Sequence, residues 1–208
     1  MSKKITFIEN LSDDMHCVNA VFRMVHQYYF NKDISWEDLD ILTKAIPGKA
    51  TWTFIGEMEF SKLGLKVTNI EPVDYNELYK TGLKYLDENF SKETADYYRE
   101  KSNLMSVIKY IPEYLEIVKH ESRRATVEEI KKLVQEGALV GVELNSRILN
   151  KRDGFSLHYI LIYDFDESGF ILHDPGLPPI EARHVTYAEF NEAFNFPGAN
   201  GGVTIFQR

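Results

Sequence analysis

The feature that most constrains this chain is a stretch from Asn10 to Asn31 that contains its only cysteine. Reading from Cys17, the residues Ala20, Val21, Met24, Val25, Tyr28 and Tyr29 recur at offsets of three and four, which predicts a helix with one apolar face to bury. Ser12, Asp13 and Asp14 are residue types that cap helix N-termini, so the expected start places Cys17 within the first turn. There, unpaired backbone N–H groups and the helix dipole favour a thiolate. Free cysteine is also among the most buried residue types, and Asp13 and Asp14 oppose a thiolate, so this segment alone fits core packing as well as chemistry. A reactive thiol needs a histidine from elsewhere.

With one cysteine no intrachain disulfide can form, and a chain of 208 residues must hold itself together with an apolar core. Its 44% hydrophobic content suits one domain, expected to span 1–208. The net charge of -8 is spread along the chain, which leaves no basic footprint for nucleic acid. No apolar run approaches the roughly 20 residues of a membrane span, and the opening Met1 to Asn10 breaks too early for a secretory signal, so the expected location is the cytoplasm and no membrane partner is expected.

Ser35 with Asp38 approximates a capping box before a short helix ended near Pro47-Gly48. Phe54, Ile55, Met58, Phe60 and Leu63 predict a helix that Gly64 terminates, and Leu65 to Ile70 then alternates as a half-buried strand. Residues 74–124, rich in Glu, Lys, Tyr and Leu, predict a run of amphipathic helices inserted in the domain; their tyrosines are expected as core or half-buried surface, and no site is assigned to them. Thr126, Glu129 and Gly137 bracket another helix. Beyond it come short apolar runs, Ala138 to Leu144, Leu157 to Tyr163, Phe170 to Asp174 and Val203 to Phe206, broken by polar turns and one short helix from Tyr187 to Phe194. Helices first and antiparallel strands mostly last is the pattern of an α+β domain.

The turn Asp166-Glu-Ser-Gly169 lies between two apolar runs, and a hairpin folded about Asp166 sets His158 and Asp174 side by side. A carboxylate there can hold an imidazole in one tautomer, which makes Cys17, His158 and Asp174 a candidate triad. The Cys17-to-His158 separation falls within the roughly 130 to 150 residues of papain-like enzymes. His16, Cys17, His26, His173 and His184 lack a metal-ligand spacing with strong precedent, so neither metal nor cofactor is expected.

The motifs Asp14-Met-His-Cys17-Val-Asn-Ala20, Gly137-Ala-Leu-Val-Gly-Val-Glu-Leu144, His158-Tyr-Ile-Leu-Ile-Tyr-Asp-Phe-Asp166 and His173-Asp-Pro-Gly176 resemble the peptidase C39-like family of the papain-like cysteine protease superfamily. The resemblance implies a papain-like fold, N-terminal helices on a C-terminal antiparallel sheet, and cleavage of a peptide or other amide through a thioester. It implies Cys17 as nucleophile, His158 as base and then acid, and Asp174 as its orienter. The alternatives on the same fold are an acyltransferase and an inactive binding module. The chain departs from the family in two places: Val18 stands where glycine usually follows the cysteine, and Leu11 where a glutamine completes the oxyanion hole. Asn10, one residue earlier, is the candidate substitute donor. Substrate identity is not implied, because double-glycine leader cleavage belongs to transporter-fused members.

Overall fold

The computed structural model describes residues 4–198 and 200–208. Met1 to Lys3, the start of the stretch read as no secretory signal, and Ala199, within the expected 197–202 loop, lie outside the described residues.

The apolar stripe after Cys17 forms helix α1 (Cys17–Phe30), with Val18, Ala20, Val21, Phe22, Met24, Val25 and Tyr29 buried, and Asn31 closes it in a left-handed conformation. The N-cap is His16, with no side chain capping it, and not the expected Ser12, Asp13 or Asp14. Those three residues form a turn one step earlier, in which Asp13 Oδ1 accepts the Met15 N–H at 3.1 Å. Helix α2 (Trp36–Thr43) begins at Ser35, whose hydroxyl accepts the Asp38 N–H at 3.1 Å. Helix α3 (Thr53–Lys62) leads into strand β1 (Lys66–Ile70), as the change of periodicity requires.

Between β1 and residue 124 lie helices α4 (Tyr75–Thr81), α5 (Leu83–Asn89), α6 (Lys92–Lys101), α7 (Leu104–Val107) and α8 (Ile111–Ile117), then a short strand β2 (Lys119–Glu121). Helix α9 (Val127–Gln135) carries both arms of the Thr126–Glu129 capping box, and Gly137 turns the chain out of it at φ 97°. Strand β3 (Leu139–Asn145), the short helix α10 (Ser146–Leu149), strands β4 (Leu157–Phe165), β5 (Gly169–Asp174) and β6 (Ile180–Thr186), helix α11 (Tyr187–Phe194) and strand β7 (Val203–Gln207) complete the fold.

The strands form one seven-stranded sheet in the order β2-β1-β7-β3-β4-β5-β6. The C-terminal strands pair antiparallel, as expected, and the one parallel pair is β2 with β1 at the far edge. A parallel partner needs a crossover, and the helices α4 to α8 supply it. The sequence reading passed over β2, β6 and α10. Strands β2 and β6 are short or charged edge strands with little apolar alternation, the form that edges take to resist pairing with other chains.

Both faces of the sheet are covered. Tyr159, Leu161 and Tyr163 of β4 join a core with α1, α3 and the α4–α8 helices, while Ile160 and Ile162 join a second core with α9 and α11. A strand buried on both sides reads as a near-continuous apolar run, which is why Tyr159 to Tyr163 lacks a polar alternation. Tyr29 at the end of α1 donates its hydroxyl to the Phe206 carbonyl at 2.6 Å, tying the first helix to the last strand.

The approach of α3 to α1 depends on Gly56, since a Cβ there would stand 2.5 Å from the Phe22 ring. Gly56→Ala is therefore expected to destabilise the fold by about 1–3 kcal/mol despite alanine's better helix propensity. Urea unfolding checks this; an unchanged or raised midpoint contradicts the close packing.

Candidate active site

Cys17 is the first residue of α1, so its thiol stands at the end of the helix where first-turn N–H groups have no intrahelical partner. The turn before it is fixed by Asn10, whose amide oxygen accepts the His16 N–H at 2.9 Å and whose amide nitrogen donates to Asp14 Oδ1 at 3.1 Å. The Asn10 N–H also reaches the Pro175 carbonyl at 2.9 Å, which joins this turn to the loop after β5. His158, second residue of β4, and Asp174, last residue of β5, are buried at 7% and 2% exposure. Their side chains meet at 2.7 Å, Nε2 to Oδ1, and Cys17 lies on the same two pocket linings as the imidazole, where its side chain raises the ring's pKa. With Nε2 occupied by Asp174, Nδ1 is the ring nitrogen left for the thiol.

The pairing is not the symmetric hairpin that the sequence suggests. Phe165 pairs with Phe170 near the turn, the register slips between Ile162 and Asp164, and Leu161 then pairs with His173. This puts Asp174 level with Ile160, two residues along from His158 and on the same face, within reach as a diagonal neighbour. Without the one-residue slip Asp174 would fall opposite Leu161, on the other face of the sheet.

Asp174 is held from three sides. Its Oδ1 also accepts the Gly176 N–H at 3.0 Å, and its Oδ2 accepts from Arg183 Nη1 at 2.7 Å. Arg183, on the edge strand β6, is itself fixed by Asn150 Oδ1 at 2.9 Å and by the Leu149 carbonyl. Burial alone would push the His158 pKa down, but the hydrogen bonds to Asp174 and Cys17 and the charges of both outweigh it, raising the group to about 10. For Asp174 burial acts upward, and the His158 contact, the Gly176 N–H and Arg183 together bring it down to about 2.

Two pockets open at Cys17 and His158. One is walled by Val18, Trp52, Tyr97, Tyr98, Leu157 and Tyr159 and carries Glu71 and Glu143. The other is polar, with Asp14, Arg147, Arg152, Ser156, Asp174 and Gly176 on its surface. The structure thus brings Cys17, His158 and Asp174 together, while Asn10 lines neither pocket. The 74–124 segment, to which no site was assigned, contributes Tyr97 and Tyr98 from α6. Sequence reading also missed Arg183, Trp52, Glu71 and Glu143; the adjacent tyrosines in an otherwise charged helix were the one available signal. The five residues weighed as metal ligands do not converge. His16 sits with Asp13 and Asp40, His26 on the Lys32 carbonyl, His173 on the Ile5 carbonyl, and His184 with Ser168 and Asp166. Among the described residues no group of three His, Cys, Asp or Glu side chains could hold a metal, and no helix is long and apolar enough to cross a membrane.

The α+β layering with a cysteine at the start of the first long helix is a papain-like cysteine peptidase fold. Two solved structures share it along nearly their whole length. One is a double glycine motif protease from an AMS/PCAT transporter in complex with the leader peptide, 11% identical with a TM-score of 0.51, covering 99% of this chain and 93% of that one. The other is the peptidase domain of Streptococcus ComA, a bifunctional ABC transporter involved in a quorum-sensing pathway, 13% identical with a TM-score of 0.51, covering 98% of each chain. Comparison with protein-family models gives no match, and neither does comparison with curated proteins.

The pairing at His158 has a measurable effect on stability. An imidazole raised from 6.5 to about 10 stabilises the fold fully below 6.5, and that contribution disappears as pH rises through about 10. Asp174, lowered from 3.8 to about 2, contributes above 3.8 and loses its share as pH falls through about 2. Urea midpoints measured upward from neutral pH should fall more steeply for the wild type than for His158→Gln; parallel curves argue against the buried pair. Gly176→Ala supplies a second check, because its Cβ would lie 3.0 Å from Asp174 Oδ1 and 3.1 Å from His158 Nε2 and should weaken their contact.

Proposed function

We propose that this protein is a cysteine hydrolase that cleaves a peptide or other amide bond, acting through Cys17, His158 and Asp174. The observation that carries the reading is the buried imidazole held between a helix-start thiol and a carboxylate. The Cys17 thiolate attacks the substrate carbonyl, and the tetrahedral oxyanion is met by the backbone N–H at the start of α1. Protonated His158 then gives its proton to the leaving amine, leaving a thioester on Cys17. A water molecule, deprotonated by the same imidazole, attacks the thioester and releases the acid. Asp174 orients the ring throughout, and Arg183 keeps Asp174 ionised and in place. Support for a peptide substrate comes from the solved double-glycine protease, which holds a leader peptide.

One observation favours a second reading, a binding module without turnover: the Asn10 amide nitrogen is engaged by Asp14, so the expected side-chain donor for the oxyanion serves the turn instead. Loss of one such donor costs on the order of 100-fold or more in rate.

Iodoacetamide labelling followed by intact mass tests the pair. Wild-type Cys17 should react rapidly below neutral pH, His158→Ala should lose that reactivity, and Asp174→Asn should lose part of it, because orientation suffers while the imidazole remains. Identical profiles for wild type and His158→Ala overturn the reading. Hydrolysis of a mixed peptide pool should fall by about 100- to 10,000-fold in His158→Ala; rapid labelling with no hydrolysis of any peptide in the wild type selects the binding module.

A further inference from the structure

The pocket on the Trp52 side of Cys17 is unusual for the carboxylates on its lining. Glu143 of β3 lies on its lining, and its oxygens are unevenly served: Oε1 accepts the Asn200 N–H at 3.1 Å, the Gly201 N–H also donates to the carboxylate, and the single Tyr98 hydroxyl lies 3.4 Å from Oε1 and 3.5 Å from Oε2. One proton cannot serve both oxygens well at those distances, and a carboxylate offers about four acceptor positions. Glu71, also on the pocket, is better served, by the Tyr75 hydroxyl at 2.8 Å and by the Asn200 amide. An independent observation lies on the same lining: Thr51 is 6% exposed, and its hydroxyl oxygen has no hydrogen-bond partner among the described residues. Trp52, Tyr97 and Tyr98 share this lining with Cys17, with Trp52 and Tyr98 ring centroids 4.5 Å apart.

A carboxylate with acceptor capacity to spare, an unsatisfied hydroxyl and aromatic rings on one lining describe the complement of a short aliphatic stem ending in a cationic donor. The stem would pack on the rings, the ammonium would meet the carboxylate, and ring faces favour cations over anions. The geometry points to a specificity pocket in which Glu143 selects a lysine-like ammonium group next to the scissile bond. This inference rests on the hydrolase reading of Cys17 and deepens it by naming the substrate class. Burial pushes the Glu143 carboxyl up to about 7, against the Asn200 N–H, the Tyr98 hydroxyl, the charge of Arg124 and the Gly201 N–H. The other groups that face it are Glu71 from the segment after β1, Tyr97 from α6 and Tyr159 from β4. Selection for a cation is therefore weak below that value, where Glu143 is protonated, and strong above it.

The test uses the native protein and two bromoacetamides of equal length, one with an aminobutyl arm and one with a pentyl arm, whose labelling of Cys17 is followed by intact mass. The ratio of their rates cancels the reactivity of the thiol. It should rise by about tenfold between roughly pH 5.5 and 8.5, as expected for a partly buried charge-assisted contact, and Glu143→Gln should flatten it. A ratio near one at the upper pH, or a preference for the pentyl arm there, overturns the pocket assignment. The wild-type pH series stands if Glu143→Gln does not fold. Iodoacetamide labelling in parallel separates the two levels: loss of the low-pH reactivity with no dependence on His158 defeats the hydrolase reading, whereas His158-dependent labelling with an arm ratio near one defeats only the pocket.

Discussion

The structure depends on a line of side chains that runs from a helix start to a sheet edge, Cys17, His158, Asp174 and Arg183, the last three alternating in charge. Each member is fixed by the next. His158 and Asp174 are nearly fully buried, and burial by itself opposes the ionised form of both. They keep their charges because each faces the opposite sign at hydrogen-bond distance, and removing one would leave its neighbour buried and unpaired, the costly case for an internal ion pair. Arg183 matters for the same reason. Its contact with Oδ2 leaves Oδ1 for the imidazole and the Gly176 N–H. The chemistry at Cys17 is thereby coupled to the placement of β6, an edge strand with few apolar residues to anchor it.

That coupling passes through a defect in the sheet. The one-residue slip between β4 and β5 rotates the end of β5 so that Asp174 shares a face with His158. A second irregularity lies between β5 and β6 at Leu172 and Asp174, where Ala182 adopts φ 48° and its N–H meets His173 Nδ1 at 3.2 Å. Bulges of this kind re-aim side chains beside functional sites. Here two of them lie on successive strand pairs, around the Asp174 of β5 that reaches the imidazole and the Arg183 of β6 that reaches Asp174.

The sequence made the main pieces of the site legible and left their registration to the tertiary structure. Cys17, His158 and Asp174 could be proposed because a helix start, a strand start and a turn opener each have a local signature. The symmetric hairpin about Asp166 named the right pair for a partly wrong reason, since a bulge has no signature in alternating apolar residues. Asn10 was read as a donor to the oxyanion because of its spacing from Cys17, but a neighbouring carboxylate, Asp14, competes for its amide and local geometry decides the contest. Arg183 and Glu143 were invisible for a different reason: a charged residue in a strand ordinarily faces solvent, and only the folded sheet turns these inward, while Glu71 follows β1 with no pattern to mark it as buried.

The carboxylates account for the role of the 74–124 segment. Glu57, Glu71 and Glu143 come from α3, the segment after β1, and β3, and their burial raises the pKa of all three, so that the core favours their protonated forms. Three such groups survive in one core because hydroxyl and amide donors surround them. Tyr114 from α8 and Asn69 from β1 serve Glu57 at 2.8 and 3.0 Å, Tyr75 from α4 serves Glu71, and Tyr98 from α6 faces Glu143. Three of those donors are tyrosines of the helical run, whose rings fill the core while their hydroxyls satisfy the acids. Truncating any of them would open a cavity and remove one donor from a buried acid at once. The helical run is therefore joined to the sheet by polar bonds as well as apolar contact, and the weakest of those bonds, Tyr98 to Glu143, is the one beside Cys17, where an incoming donor has most to gain.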